Sequence, residues 1–225
     1  VVLDALNTDG TNLTDTMPVQ MKLEWIGEVL QNYEARYKAY RKAIGSLAGW
    51  YNTHGYKMML LKGYACSLDW HKPNHRPCGD IDIWLFGQQK KADAALSSEK
   101  GIKIDRSHHH HTVFYWEDFM VENHYDFINI YRNKPNAEQE VIFKDLGMDD
   151  SNRTVIDNET VYLPSANLNA FFLLRHMMAH FATSEISLRN VIDWAAFANN
   201  HSKEIDWQWL ENTLEKFHMM DFYNS

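Results

Sequence analysis

The first helical pattern of the chain extends from about Met17 to Asn52, where apolar residues recur every three or four positions. This spacing predicts one long helix or two shorter ones. We expect the helical pattern to stop near His54-Gly55, because glycine often follows the last helical residue. The sixteen residues before it are mostly polar and are expected to hang loosely. The recurring apolar positions are Met21, Trp25, Val29, Leu30, Tyr33, Tyr37, Tyr40, Ile44, Leu47 and Trp50.

The middle of the chain consists of short apolar runs separated by turn signals, a pattern that favours a small β-sheet. Three runs predict strands: YKMMLLKG at 56–63, DIDIWLF at 80–86 and IKIDRS at 102–107. Residues 108–131 predict a hairpin of two further strands that turns at Glu117-Asp118. The predicted connections are a helical turn at 64–70, a loop with two prolines at 71–79 and a helix at Lys90–Lys100.

The part of the chain beyond Leu163 is predicted to be helical, with helices at Ser165–Phe181, Ser187–Asn200 and Asp206–His218. These patterns together predict an α+β fold: a small mixed β-sheet core flanked by helices, with a C-terminal helical bundle. We expect an N-terminal tail and helices at 1–53, an α/β core at 54–162 and a helical part at 163–225. The chain begins at Val1 without an initiator methionine and stops just after a helical pattern. We therefore expect it to be a truncated piece of a longer protein.

The composition narrows the class of protein. Of the 225 residues, 45% are apolar and 13% aromatic, which is enough for a hydrophobic core. The 22 basic and 30 acidic residues give a net charge of −8, which argues against a general nucleic-acid binder. Only two cysteines are present, so a reducing, cytoplasmic location is expected. No apolar run has the length of a membrane span, and no membrane partner is expected.

Two aspartates one residue apart stand in the run GDIDIWL at 79–85. Because side chains alternate along a strand, Asp80, Asp82 and Trp84 should share one face, and the isoleucines between them should face the core. The two carboxylates would lie about 7 Å apart at the backbone and repel each other unless a cation lies between them. A divalent cation such as Mg²⁺ suits such oxygen ligands. The alternative is a pair of solvent-facing aspartates at the end of a strand.

A second acidic strand follows in the run MVENHYDFI at 120–128. By the same alternation Glu122, His124 and Asp126 should share one face, with Val121 and Phe127 packing on the other. If this strand lies beside the first, three or four carboxylates converge, as a two-metal site requires. The alternative is an exposed edge strand.

The order of these motifs resembles the DNA polymerase beta-like nucleotidyltransferase superfamily. The matching elements are LLKG, a helical turn, a loop with RP, then GDIDIWL and the strand with VENH. The pattern is most similar to a branch of uncharacterised bacterial nucleotidyltransferases with LKG…R-x-x-x-DID. The C-terminal runs LPSANLNAFFLLRHMMAHF and ISLRNVIDWAAF also resemble the helical portion of that branch. The resemblance covers about Tyr51 to Phe217.

The resemblance implies an enzyme that moves a nucleoside monophosphate from a nucleoside triphosphate, such as ATP, to a hydroxyl acceptor and releases pyrophosphate. The acceptor would be a small molecule or a protein. Asp80 and Asp82 match the paired metal-binding aspartates, and Glu122 matches the third catalytic carboxylate, with Asp126 in reserve. Two Mg²⁺ ions would bind there as cofactors. These two ions would also explain how an acidic protein holds an acidic substrate.

The resemblance also implies a nucleotide-binding turn. Gly63 matches the glycine at which the backbone approaches the triphosphate, where a side chain would block the approach. The superfamily has a second small residue next, and this chain has Tyr64 instead. Lys62 and Arg76 could compensate, Arg76 through a forked grip on phosphate oxygens. Alternatively, Lys62 is an ordinary surface lysine at the end of a strand, and Arg76 belongs to a surface ion pair.

Several histidines leave further interpretations open. His108 to His111 form an internal run that could line the acceptor side of the cleft or be a solvated loop. His176 and His180 have a spacing that can bind zinc, although His180 could also face the active-site cleft. Arg189 and Asp193 are predicted to form an ion pair within one helix. Two rival functions remain: an inactive nucleotide-binding module, and a zinc hydrolase built on His176, His180 and the histidine run.

Overall fold

The computed structural model describes residues 17–183 and 187–225, so the predicted N-terminal tail lies outside the described residues. Its helices are α1 (Val19–Glu28), α2 (Ala35–Thr53), α3 (Gly63–Ser67), α4 (Gln89–Lys100), α5 (Lys134–Gly147), α6 (Ala166–Thr183), α7 (Leu188–Asn200), α8 (Trp207–Lys216) and α9 (Met220–Tyr223). Its strands are β1 (Met59–Leu60), β2 (Ile81–Trp84), β3 (His111–Trp116), β4 (Phe119–His124), β5 (Arg153–Ile156) and β6 (Glu159–Tyr162).

The strands of the described residues form one six-stranded sheet in the order β3-β4-β2-β1-β6-β5. The pair β2–β4 and the pair β1–β6 are parallel, and the other neighbours are antiparallel. Helices flank this mixed sheet, and α6, α7 and α8 follow it in the chain. The predicted α+β fold is therefore confirmed, while the predicted division at residues 53 and 162 stays a prediction.

The two faces of the sheet pack against two separate hydrophobic clusters. Ile81, Ile83 and Leu85 join α2 in the first cluster. Trp84, one position out of step with them, joins α6 in the second cluster. This is the result of side-chain alternation along a strand, and it leaves Asp82 on the same side as Trp84. Both faces of β2 are covered, and Asp82 is only 3% exposed. The alternative interpretation, in which Asp82 faces solvent at the end of a strand, is therefore wrong.

The long N-terminal helical pattern is confirmed. α1 and α2 are joined by a π-helical turn at Val29–Glu34, and α2 ends at Thr53, just before His54-Gly55. The hairpin at 108–131 is confirmed as β3 and β4, with Glu117 at positive φ in the turn. The three C-terminal helices are confirmed within a few residues at their ends.

Two predictions about the sheet and its packing are wrong. The run IKIDRS forms no strand and contributes only an isolated bridge between Asp105 and Val113. Phe127 does not share a face with Val121: Val121 lies in the first cluster and Phe127 in the second. The reason is that β4 ends at His124, and alternation does not continue past the end of a strand.

Three elements lie where the sequence analysis predicted none, namely α5, the β5–β6 hairpin and the short helix α9. Local signals for the first two are present in the sequence. Asn133 caps α5 with its side chain and Pro135 stands in its first turn. Asp157 and Asn158 form the β5–β6 turn with φ values of 51° and 72°, which is typical of a two-residue hairpin. None of the described helices combines the length and the apolar character that a membrane span needs.

Candidate active site

The centre of the site is the parallel pair of β2 and β4. Asp82 lies opposite Glu122 in this pair, and Trp84 lies opposite His124. Residues in register on neighbouring strands point to the same side of the sheet, so the two carboxylates and the imidazole converge. The sequence analysis predicted this convergence if the two strands were neighbours, and they are.

Asp82 is held by two basic groups. The Lys62 Nζ atom is 2.6 Å from Asp82 Oδ1, and His124 Nε2 is 3.0 Å from the same oxygen. His124 Nε2 also lies 3.6 Å from Glu122 Oε2. Lys62 is therefore not a surface lysine but the cationic partner of a buried carboxylate.

Burial and neighbouring charges set the ionisation of these groups. Burial raises the pKa of Asp82, but Lys62 and the hydrogen bond to His124 outweigh it, and the pKa lies well below its usual range. Burial lowers the pKa of His124, whereas its hydrogen bonds to Asp82 and Glu122 raise the pKa overall. Burial, followed by the charge of Asp82, raises the pKa of Asp80. The site thus holds an ionised Asp82 between two basic groups, Lys62 and His124, and it favours the positive form of both.

The turn after β1 brings Lys62 to the site in an unusual backbone conformation. Lys62 has φ 40° and ψ −129°, and Gly63 has φ +20°. A Cβ atom at Gly63 would lie 2.4 Å from the hydroxyl oxygen of Tyr40, which donates a hydrogen bond to the Asp80 carbonyl at 2.8 Å. A side chain is excluded here by Tyr40 as well as by the backbone conformation.

The other residues predicted for nucleotide binding have different surroundings. The Tyr64 ring is buried in the first cluster and stacks on Tyr37 with 6.0 Å between ring centroids, so it does not obstruct the site. Arg76 is also buried, and its guanidinium grips Asp193 with two hydrogen bonds of 2.8 and 2.7 Å. The predicted fork of Arg76 thus holds a carboxylate of this chain. It is also not the surface ion pair of the alternative.

Arg189 is a site residue that the sequence analysis missed. It was predicted to pair with Asp193, but Asp193 binds Arg76 and the indole nitrogen of Trp70 instead. Arg189 is exposed and lines the same cavity as Asp82. Arg189 lies four residues before Asp193, a spacing that is typical of an ion pair within one helix. The sequence analysis therefore assigned Arg189 to that pair and not to the cavity.

Asp126 does not join the other carboxylates. It hydrogen-bonds to Lys144 and lines a different cavity of about 720 Å³ together with Asp93 and Arg106. Because β4 ends two residues earlier, the face that Glu122 and His124 share does not extend to Asp126. The predicted reserve role of Asp126 therefore lacks the required position.

The site opens into a cavity of about 390 Å³. His176 and His180 lie on its α6 wall, with 3.1 Å between their Nε2 atoms, and burial lowers the pKa of His176 to about 2. His180 thus faces the cleft, as one interpretation of the sequence expected. The lining residues that matter below are Lys62, Gly63, Asp80, Asp82, His110, His111, Glu122, His124, His176, His180, Arg189 and Asp193.

The donor set fits a divalent metal ion. Ligand atoms of Asp82, Glu122 and His124 all lie within 4.8 Å of one another, and a second such group in the described residues is His110, His111 and His124. Two carboxylates with one imidazole are suitable ligands for a divalent cation. Asp80 lines the cavity but belongs to neither group. Neither His176 nor His180 belongs to either group. The zinc-hydrolase alternative, which used both as ligands, therefore loses its main support.

Comparison with solved structures shows the same fold in an antibiotic-resistance factor, ANT(2'')-Ia. Its solution structure matches with a TM-score of 0.56 at 8% identity, covering 83% of this chain and 97% of that chain. Its crystal structure in complex with adenylyl-2''-tobramycin matches with a TM-score of 0.53 at 9% identity, covering 80% and 97%. The lincosamide antibiotic adenylyltransferase LnuA, lincomycin-bound, matches with a TM-score of 0.44 at 13% identity, covering 69% and 94%.

No significant match to a curated protein was found. The sequence does match a protein family over almost its whole length, from residue 5 to residue 224. The chain belongs to the family described as uncharacterised nucleotidyltransferase.

Proposed function

We propose that this chain transfers a nucleoside monophosphate from a nucleoside triphosphate to a hydroxyl acceptor, with Mg²⁺ bound at the carboxylates and with release of pyrophosphate. One observation carries the proposal. Asp82 and Glu122 stand in register on neighbouring parallel strands, and both line a cavity that also contains Lys62 and Arg189. Carboxylates that can bind metal ions and cationic side chains that can bind phosphate thus line the same cavity.

Each residue has a role in this proposal. Asp80, Asp82 and Glu122 hold two Mg²⁺ ions, which when bound neutralise charge on the reacting phosphates. Lys62 and Arg189 bind phosphate oxygens, and Gly63 lets the backbone approach the triphosphate. Glu122 accepts the proton of the acceptor hydroxyl. The acceptor oxygen then forms its bond to the α-phosphorus while the bond from that phosphorus to the bridging oxygen breaks, and pyrophosphate leaves.

The motifs and the thiols support the finer assignments. The order Lys62-Gly63, Arg76, Asp80 and Asp82 fits the bacterial branch with LKG…R-x-x-x-DID. Cys66 and Cys78 are both free and buried, which supports a reducing compartment such as the cytoplasm. The negative net charge of the chain supports a small-molecule or protein acceptor over a nucleic acid.

The test is incubation of the protein with each α-³²P-labelled nucleoside triphosphate, Mg²⁺ and a panel of acceptors, with label transfer and pyrophosphate both measured. Tobramycin belongs in the panel because ANT(2'')-Ia, which shares the fold, was crystallised with adenylyl-2''-tobramycin, and the protein itself is included as an acceptor. Magnesium-dependent transfer is expected in the wild type and in Asp118→Asn, which changes an exposed acid in the β3–β4 turn. It should be lost in Asp82→Asn.

Full activity of Asp82→Asn would contradict the proposal. Nucleotide binding without release of pyrophosphate under any condition would support an inactive nucleotide-binding module instead.

A further inference from the structure

Three histidine rings meet at the edge of the carboxylate site. His110 precedes β3, His111 begins β3 and His124 ends β4. The ring centroids are 4.3 Å apart for His110 and His111, 5.6 Å for His110 and His124, and 5.3 Å for His111 and His124. One nitrogen from each ring lies within 4.8 Å of the other two, which is close enough for one ion to bind all three.

The backbone fixes this arrangement. His111 and His124 are direct partners in the antiparallel β3–β4 pair. The His110 carbonyl accepts hydrogen bonds from the backbone N–H groups of Tyr125 at 3.0 Å and Asp126 at 3.1 Å. The rings are therefore presented by paired strands and a pinned loop, and little order has to be created when a ligand binds.

Two ring nitrogens lack the hydrogen bonds that burial normally requires. His111 is 7% exposed, and its Nδ1 atom is buried without a hydrogen-bond partner in the described part of the chain. The Nδ1 atom of His110 is in the same situation. A buried polar atom without a partner is unfavourable and rare in native proteins, so two in adjacent rings indicate a ligand.

The surroundings suit a ligand that takes electron pairs. His110 is half-buried and His111 is buried, and a ring nitrogen without a hydrogen-bond partner can donate its electron pair to a metal ion. In addition, Glu122 Oε1 lies 3.7 Å from His111 Nε2, and metal-binding histidines commonly direct their other nitrogen to a carboxylate.

We propose that His110, His111 and His124 form a binding site for a transition-metal ion of the zinc class. Three imidazoles favour Zn²⁺ and chemically similar ions over Mg²⁺, which prefers oxygen ligands. Three protein ligands leave a fourth position, and all three histidines line the cavity that contains Asp82. The site goes beyond the proposed nucleotidyl transfer and does not depend on it.

The test is a titration of the metal-free, tag-free protein with Co²⁺, a spectroscopic substitute for Zn²⁺. We expect one equivalent to produce the intense visible absorption of tetrahedral cobalt, and Zn²⁺ to displace it. The variant His110→Ala, His111→Ala should weaken Co²⁺ binding by more than about 100-fold, because it removes two ligands directly. His109→Ala is the matched control, since His109 is exposed and stacks on Tyr131 with 4.4 Å between ring centroids.

Two further variants make the outcome decisive. The single variant His110→Ala changes only a half-buried loop residue and should also weaken Co²⁺ binding. It keeps the test possible if the double variant fails to fold. His176→Ala should leave the titration unchanged. Wild-type Co²⁺ affinity in both the single His110→Ala variant and the double variant would overturn the site. Failure of nucleotidyl transfer would leave the titration intact, so the two proposals fail separately.

Discussion

Asp82 and Asp193 are both buried aspartates with a basic partner, and the difference between them shows which one has a structural role. Asp193 is 4% exposed and receives three hydrogen bonds over both of its oxygens, two from Arg76 and one from Trp70 at 2.8 Å. Asp82 is 3% exposed, but Lys62 and His124 both approach the same oxygen, Oδ1. Asp82 also lies directly opposite a second acid, Glu122, on the neighbouring strand.

The basic partners of these two aspartates, Arg76 and Lys62, also differ in how they bind a carboxylate. The planar guanidinium of Arg76 matches a carboxylate with two parallel bonds, which fixes α7 against the loop before β2. The Lys62 ammonium is a compact charge on a flexible chain and can exchange a carboxylate for phosphate or make room for a metal ion. We therefore infer that Asp193 stabilises the fold, and we assign Asp82 to the proposed catalytic site.

The largest predicted effect concerns the acidic neighbour of Asp82. Glu122→Gln keeps the size of the side chain but removes the proposed metal ligand and proton acceptor, so we expect kcat to fall by more than about 100-fold. Asp126→Asn is the control, because Asp126 lines a different cavity, and it should retain near wild-type kcat. The assay is magnesium-dependent label transfer. A greater loss of kcat in Asp126→Asn than in Glu122→Gln would reverse the assignment.

The next effect is on stability and belongs to Asp193. Asp193→Ala leaves Arg76 buried without its partner, and we expect the free energy of unfolding to fall by about 3–5 kcal/mol. Urea denaturation followed by circular dichroism measures the change. Replacing both residues, as Arg76→Met with Asp193→Leu, should restore much of the loss because no buried charge is left unpaired. A loss below about 1 kcal/mol in Asp193→Ala would show that the pair does not hold α7.

The smallest effect is the pH dependence given by His124. Its pKa is raised in the folded protein, so its stabilisation is present below the unfolded value near 6.5 and is lost as the pH rises through the folded pKa. The difference in the free energy of unfolding between the wild type and His124→Gln should therefore be larger at pH 6 than at pH 9. Both proteins are measured with a chelator present. The charged groups that face His124 are Asp82, Glu122 and Lys62, with His110 and His111 neutral beside it. His109→Gln should show no such change, and an equal or larger difference at pH 9 would contradict the sign.

The strand part of the site was predictable from the sequence because it depends on local periodicity. Alternation along GDIDIWL placed Asp82 opposite the isoleucines, and alternation along MVENH placed Glu122 with His124. The pairing of β2 with β4 completed the site. The prediction became wrong at Asp126 and Phe127, where β4 had already ended.

The parts that could not be predicted depend on contacts between distant residues. Arg76 and Asp193 are 117 positions apart, and the sequence offered Arg189 as a nearer partner for Asp193. The position of Lys62 depends on the backbone conformation at Lys62-Gly63, which Tyr40 supports from α2. The histidine run gave no sign that His111 would pair with His124 across two strands.

The central claim is that Asp82 and Glu122 share a divalent ion. Crystals grown with Mn²⁺ in place of Mg²⁺ and with a non-hydrolysable nucleoside triphosphate analogue provide the direct measurement, since manganese can be located by its anomalous scattering. The account predicts a peak about 2.0–2.2 Å from an oxygen of each carboxylate, with the phosphates of the analogue on its open side. Manganese located elsewhere while the analogue occupies the cavity, or an analogue bound with Lys62 still on Asp82 and no metal, would contradict it.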